Sequence, residues 1–261
     1  MRDLILQLSK SSIYSTKPFQ ACAGITINAT RVVYSGKEKV ASLNIHNRSS
    51  TPYKVQIWLD AGLNTSRIGL PIVATPPQVY LSPQQSAQLR FIYLGGGLPG
   101  DRESVYWVNI QETPPAAVGT HTLQFVVRTR LKLFYRPPAI TTTLSREVQK
   151  LQWQQSGNNL RFTNLGPLHI TLVNGALIDN KGHLSPIRNV MLRPYSSHTV
   201  MTTDSTRLYQ LNYIDDYGAV VPIPLQNAHV PPQASYTPGR KSPCCWPYRL
   251  PPWRQSAHTG R

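Results

Sequence analysis

The side chains able to do chemistry are few, and their spacing does not suit catalysis. Seven histidines are scattered over 261 residues, with no His-Glu-x-x-His to hold zinc on a helix face. No Gly-x-Ser-x-Gly turn offers a serine nucleophile. Gly95-Gly96-Gly97 has the backbone freedom of a phosphate loop but lacks the Lys-Ser/Thr that would follow, so it reads as a connection between strands. Asp215-Asp216 could serve as paired carboxylates or a cation site. With Tyr217-Gly218 next, they read instead as a turn. The three cysteines are Cys22, Cys244 and Cys245, which leaves residues 23–243 with no disulfide framework and no thiolate zinc site. Neighbouring cysteines close only a strained ring. The expectation is a binding protein, not an enzyme, with no metal or other cofactor.

Charge is the remaining broad signal. The formal net charge is +16, with five basic residues and no acid from Pro231 onward. Residues 25–230 hold 19 basic and 10 acidic side chains, so the excess in the main body is moderate. No basic helix, zinc-finger spacing or aromatic RNA-binding motif accompanies it, and nucleic acid is not an expected partner. No apolar run approaches the ~20 residues of a membrane-spanning helix, so no membrane insertion is expected.

The elements that must position these side chains are strands. Ala41, Leu43 and Ile45 alternate with polar neighbours, as do Tyr53, Val55, Ile57 and Leu59, and then Ala87, Leu89, Phe91 and Tyr93. Ile25–Ala29 and Ser104–Gln111 complete a first set, with turns at Ser35-Gly36 and Leu81-Ser82-Pro83. The longest alternating run, Leu123–Tyr135, exceeds the usual strand of about 5–6 residues. Part of it should project or form an edge, with backbone groups open to another chain. Pro137-Pro138 ends it, and Ala139–Thr143 reads as a hinge. Short strands follow at 151–154, 160–164, 168–177, 190–192, 199–202, 208–214 and 220–225. No helical periodicity appears over three turns. The prediction is an all-β chain of two immunoglobulin-like sandwiches. A leader occupies 1–23, the domains 24–143 and 144–230, and a Pro-rich disordered tail 231–261. In the leader, Ala21-Cys22-Ala23 before Gly24 has the small-x-small form of a signal-peptidase site, although only Leu4-Ile5-Leu6 and Leu8 supply an apolar stretch.

Four stretches carry a resemblance. They are Thr30-Arg31-Val32-Val33-Tyr34, the run Leu98–Trp107 containing Asp101-Arg102-Glu103-Ser104, Arg130–Pro137, and Tyr213–Gly218. In this order and spacing they resemble the PapD-like periplasmic chaperones of chaperone–usher pili. Thr113-Pro114-Pro115 stands where that family usually has Ile-Pro-Pro, and a second-domain disulfide of some members is missing.

The resemblance implies a periplasmic protein that holds pilin subunits by donating a β-strand and passes them to the outer-membrane usher. Leu123, Phe125 and Val127 would be the donor side chains. The two domains would stand at an angle with a cleft between them, where Arg31 and Lys132 would bind the pilin's C-terminal carboxylate. Glu103, Arg136 and Asp216 would form a charged cluster that fixes the two domains. The released energy would come from subunit exchange, without nucleotide, and the free protein could associate with itself through the exposed strand. The competing reading is an exported two-domain adhesin or receptor fragment, which would need neither the basic pair nor the donor strand.

Overall fold

A computed structural model describes residues 24–62, 69–116, 124–203 and 206–225. The leader, the tail beyond 225, Leu123 and all three cysteines lie outside the described residues. The strands are β1 (Ile25–Ile27), β2 (Arg31–Ser35), β3 (Ala41–Asn47), β4 (Tyr53–Asp60), β5 (Ile72–Thr75), β6 (Gln78–Leu81), β7 (Ser86–Tyr93), β8 (Ser104–Thr113) and β9 (Val127–Arg136). After them come the helix α1 (Leu144–Gln149), then β10 (Gln152–Ser156), β11 (Asn159–Asn164), β12 (Ile170–Ile178) and β13 (Leu184–Ile187). The chain continues with β14 (Val190–Leu192), β15 (Ser196–Met201), β16 (Arg207–Ile214) and β17 (Val220–Pro222).

The expected all-β architecture of two sandwiches is present. In the first, the sheet β1-β3-β7-β5 faces the sheet β2-β9-β8-β4-β6. Alternation decides which residues meet between them: Leu43 and Ile45, Val55 and Ile57, Leu89 and Phe91, Val108 and Ile110, and Leu131 and Leu133 all enter one core. The second sandwich pairs β10-β11-β15 with β13-β12-β16-β17, and β14 adds to β12. Leu160, Phe162, Leu168, Ile170 and Leu172 fill its separate core. Each such buried side chain contributes about 1.5–3 kcal/mol relative to exposure.

Three features depart from the alternating pattern. The run predicted from 123 to 135 is strand only from Val127, and residues 124–126 have no regular structure. The helix α1 was not expected. It is less than two turns long and buries only Leu144, Glu147 and Val148, too few residues to show helical periodicity. Strands β5 and β6 flank Pro76-Pro77, and β13 contains Pro186. Proline reads as a breaker, yet β13 is an edge strand, where a missing N–H costs no ladder bond. The segment predicted as a hinge is anchored by Ile140, which packs on the second core.

Candidate functional site

β2 and β9 run parallel, with Arg31 beside Lys132 and Ser35 beside Arg136. Because Leu131, Leu133 and Tyr135 point into the core, the alternate residues Arg130, Lys132, Phe134 and Arg136 occupy the outer face of β9. The two basic side chains predicted as an anchor are therefore neighbours on one face. Neither forms an ion pair among the described residues. Among the described residues, buried Arg31 Nε has no hydrogen-bond partner, a rare condition for a guanidinium. Burial lowers the pKa of Arg31, opposed by the charges of Asp215, Asp216 and Glu103. Burial also lowers the pKa of Lys132, and the positive charge of Arg31 adds to the effect. Two partly desolvated cations side by side favour an incoming anion.

Trp107 completes this face, and sequence reading overlooked it. It stands opposite Lys132 in the β8–β9 ladder, and the Lys132 ammonium lies 5.6 Å from its ring centroid. The Arg130 guanidinium lies 4.4 Å from the same ring and is bonded to Asp60, which also accepts from Asn109 Nδ2 at 2.6 Å. Only the strand register brings these residues together, so no local pattern marks them.

Arg136 is the centre of the charged cluster. Its Nε donates to Glu103 Oε1 at 2.7 Å, and its two terminal nitrogens donate to Asp216 at 2.7 and 2.5 Å. Burial by itself would lower the Arg136 pKa, but the hydrogen bonds to Asp216 and the charge of Glu103 raise it above the ordinary arginine value. Glu103 belongs to the first sandwich by position and Asp216 to the second, so one guanidinium spans both. His169, a second residue missed in the sequence, holds the other oxygen of Glu103: its backbone N–H donates at 2.8 Å and its ring Nδ1 lies at 2.8 Å. The Asp215–Gly218 turn closes with Gly218 N donating to Asp215 O at 3.2 Å. It rests on Thr30 so closely that a Cβ on Gly218 would lie 2.1 Å from Thr30 Oγ1. Asp215-Asp216 thus forms the predicted turn, and Asp216 supplies one arm of the clamp.

Of the predicted donor side chains, Val127 begins β9 at its other end, Phe125 lies just before it, and Leu123 lies outside the described residues. From Val127 to Leu131 this strand pairs with β8 on one side, while β2 covers only Lys132–Arg136 on the other. Among the described residues, that stretch of β9 has an open edge. Phe125 is 69% exposed and Val127 41% exposed, and neither joins the core. No group of metal-ligating side chains occurs among the described residues, and no described helix is long and apolar enough to cross a membrane.

Two sandwiches in tandem, with an open strand edge and a basic pair next to a charged clamp, define the class of pilus-assembly chaperones. Residues 24–141 match the family model of the pili and flagellar-assembly chaperone PapD N-terminal domain, and residues 146–224 match that of the PapD C-terminal domain. The chain belongs to the PapD-like chaperone family. It is 33% identical over 202 residues to the chaperone protein PapD of Escherichia coli, covering 76% of this chain and 84% of that one. The probable fimbrial chaperone LpfB of Escherichia coli O157:H7 is 38% identical over 152 residues. That match covers 57% of this chain and 65% of the relative, a little under two thirds of its length. Among solved structures, the CupB2 chaperone of Pseudomonas aeruginosa superposes with a TM-score of 0.67 at 29% identity, over 76% of this chain and 97% of that one. The SafB chaperone, solved with the Salmonella enterica pilin SafA, gives 0.64 at 27% identity, over 75% and 92%.

Proposed function

We propose that this chain is a non-enzymatic periplasmic chaperone that captures pilin subunits through the open edge of β9 and delivers them to the outer-membrane usher. The observation that carries the reading is the layout of β9. Phe125, exposed, leads into a strand whose unpaired edge begins at exposed Val127 and which carries Lys132 beside Arg31 further along. A strand laid along that edge would gain backbone hydrogen bonds, and alternate side chains would set its register. Arg31 and Lys132 would fix the end of the partner's chain by charge-assisted bonds to its carboxylate, and the orphaned Arg31 Nε supports this role. In this reading the first domain, 24–143, carries the donor strand, the second is 144–230, and Arg136 holds them in register. The solved relative SafB holds a pilin, as its complex with SafA records. SfaE, a relative of 27% identity, is described as periplasmic, which supports that compartment here.

The test is co-expression, under a working signal peptide, with the pilin encoded nearest to this gene, followed by co-purification from the periplasm. The wild type should capture the pilin, and a folded Arg31→Ala/Lys132→Ala variant should not. Equal capture by both would reject the anchor. A folded, exported wild type that captures none of the neighbouring pilins would overturn the chaperone reading.

A further inference from the structure

Glu112 is the next-to-last residue of β8, on the same face as the core residues Val108 and Ile110, and is only 5% exposed. It forms no ion pair among the described residues, and its hydrogen-bond donor is the backbone N–H of Ile25, at 2.7 Å from Oε2. Burial raises its pKa, against the lowering effect of that bond. A buried carboxylate without a counter-ion is disfavoured by desolvation, which a nearby cation would offset. The backbone next to it is tightly seated. Gly24 O accepts from Arg48 N at 2.9 Å, and the Gly24 Cα lies so near the Tyr53 ring that a Cβ would be 2.4 Å from Tyr53 Cζ. Covalent geometry keeps the nitrogen of Gly24 within about 3.7 Å of the Ile25 nitrogen that Glu112 already holds. Gly24 is also the first residue after Ala21-Cys22-Ala23, and the family match starts there.

We propose that hydrolysis of the Ala23–Gly24 bond creates the missing counter-ion: the new α-ammonium of Gly24 pairs with Glu112 and locks β1 into its sheet. The step consumes one water and needs a membrane-bound signal peptidase. The C–N bond breaks, Ala23 leaves with the carboxylate, and Gly24 keeps the protonated amine. Before cleavage the same nitrogen is a neutral amide, which cannot neutralise Glu112. Removal of the leader therefore stabilises the folded domain itself, beyond releasing it from the membrane. This inference rests on the export proposed above, while pilin capture tests that reading separately. Tyr53 is a titratable neighbour of Gly24, and Arg48 makes its contact through the backbone.

The experiment compares the full chain exported and processed with the full chain retained in the cytoplasm with residues 1–23 attached, each with and without Glu112→Gln. Intact mass of the exported form should place its first residue at Gly24; any other first residue, or an uncleaved leader, overturns the proposal. Glu112→Gln should lower Tm by roughly 5 °C in the processed chain and far less with the leader attached. An equal loss in both overturns the pairing. Should the variant not fold, the Gly24 amine of the wild-type processed chain, labelled by reductive methylation, decides the matter by NMR. Titration well above the ordinary α-amino range of about 7.7–8.0 supports the ion pair, and an ordinary value overturns it.

Discussion

Arg136 grips Asp216 with two parallel hydrogen bonds of 2.7 and 2.5 Å while a third nitrogen holds Glu103. The guanidinium fork suits this task because its donors diverge in one plane, which a lysine ammonium cannot reproduce. Arg136 is only 15% exposed and Glu103 1%, so the bonds are shielded from water. Arg136→Ala would leave Glu103 with His169 alone, and breaking a buried pair by removing one partner costs about 3–5 kcal/mol. Both cores lie elsewhere and should survive. We expect the variant to unfold in two calorimetric transitions where the wild type shows one, with a scattering profile that no longer overlays. A single transition and unchanged scattering would assign the clamp no role in joining the sandwiches.

Gly218 tests the same contact from the backbone. Its φ of +93° is a conformation that L side chains rarely adopt, and the Thr30 hydroxyl occupies the place of a Cβ. Gly218→Ala should destabilise by about 1–3 kcal/mol, partly through strain and partly through the clash. Adding Thr30→Ala removes the clash and leaves the strain, so Tm should recover in part. Full recovery would show that the backbone carries no strain, and no recovery that the contact is irrelevant.

Much of this arrangement was legible in the sequence, for physical reasons that also mark its limits. Period-two alternation located most of the long strands because each has one face in a core, as Leu43 and Ile45 show. It failed at β9, where the apolar residues of 125 and 127 continue the pattern without a core to enter. That failure is informative, since an alternating segment with both faces outside its own domain is free to serve another. Trp107 and His169 were invisible because their roles depend on register and on packing between sandwiches. The roles expected of Arg31, Lys132, Glu103, Arg136 and Asp216 come only from the family resemblance, since isolated charges in strands give no sign of their partners.

The start of β9 should separate binding from stability. Phe125→Asp and Val127→Asp alter exposed side chains, so the expected change in stability is within about 0.5 kcal/mol. Pilin capture should fall at least tenfold in each, because a charge would enter an apolar groove. Leu131→Ala, only four residues further, removes a core side chain and should cost about 2–5 kcal/mol. Capture by the aspartate variants at wild-type level would remove 125 and 127 from the interface.

Lys132 should make capture sensitive to alkaline pH. Its folded pKa is lowered by burial and by Arg31, so the free protein loses this proton below the ordinary lysine range. The unfolded chain still binds the proton there, hence stability rises with pH between the folded and unfolded values. Binding runs the opposite way. A carboxylate beside Lys132 favours the charged form, so complex formation takes up a proton, and affinity declines as pH rises through the free-state pKa. Titrating affinity for the pilin across the alkaline range should show this decline while Tm does not fall with it. Lys132→Met should abolish the pH dependence along with part of the affinity, because Arg31 stays charged throughout. If the decline persists unchanged in Lys132→Met, another group titrates at the interface and Lys132 is not the anchor.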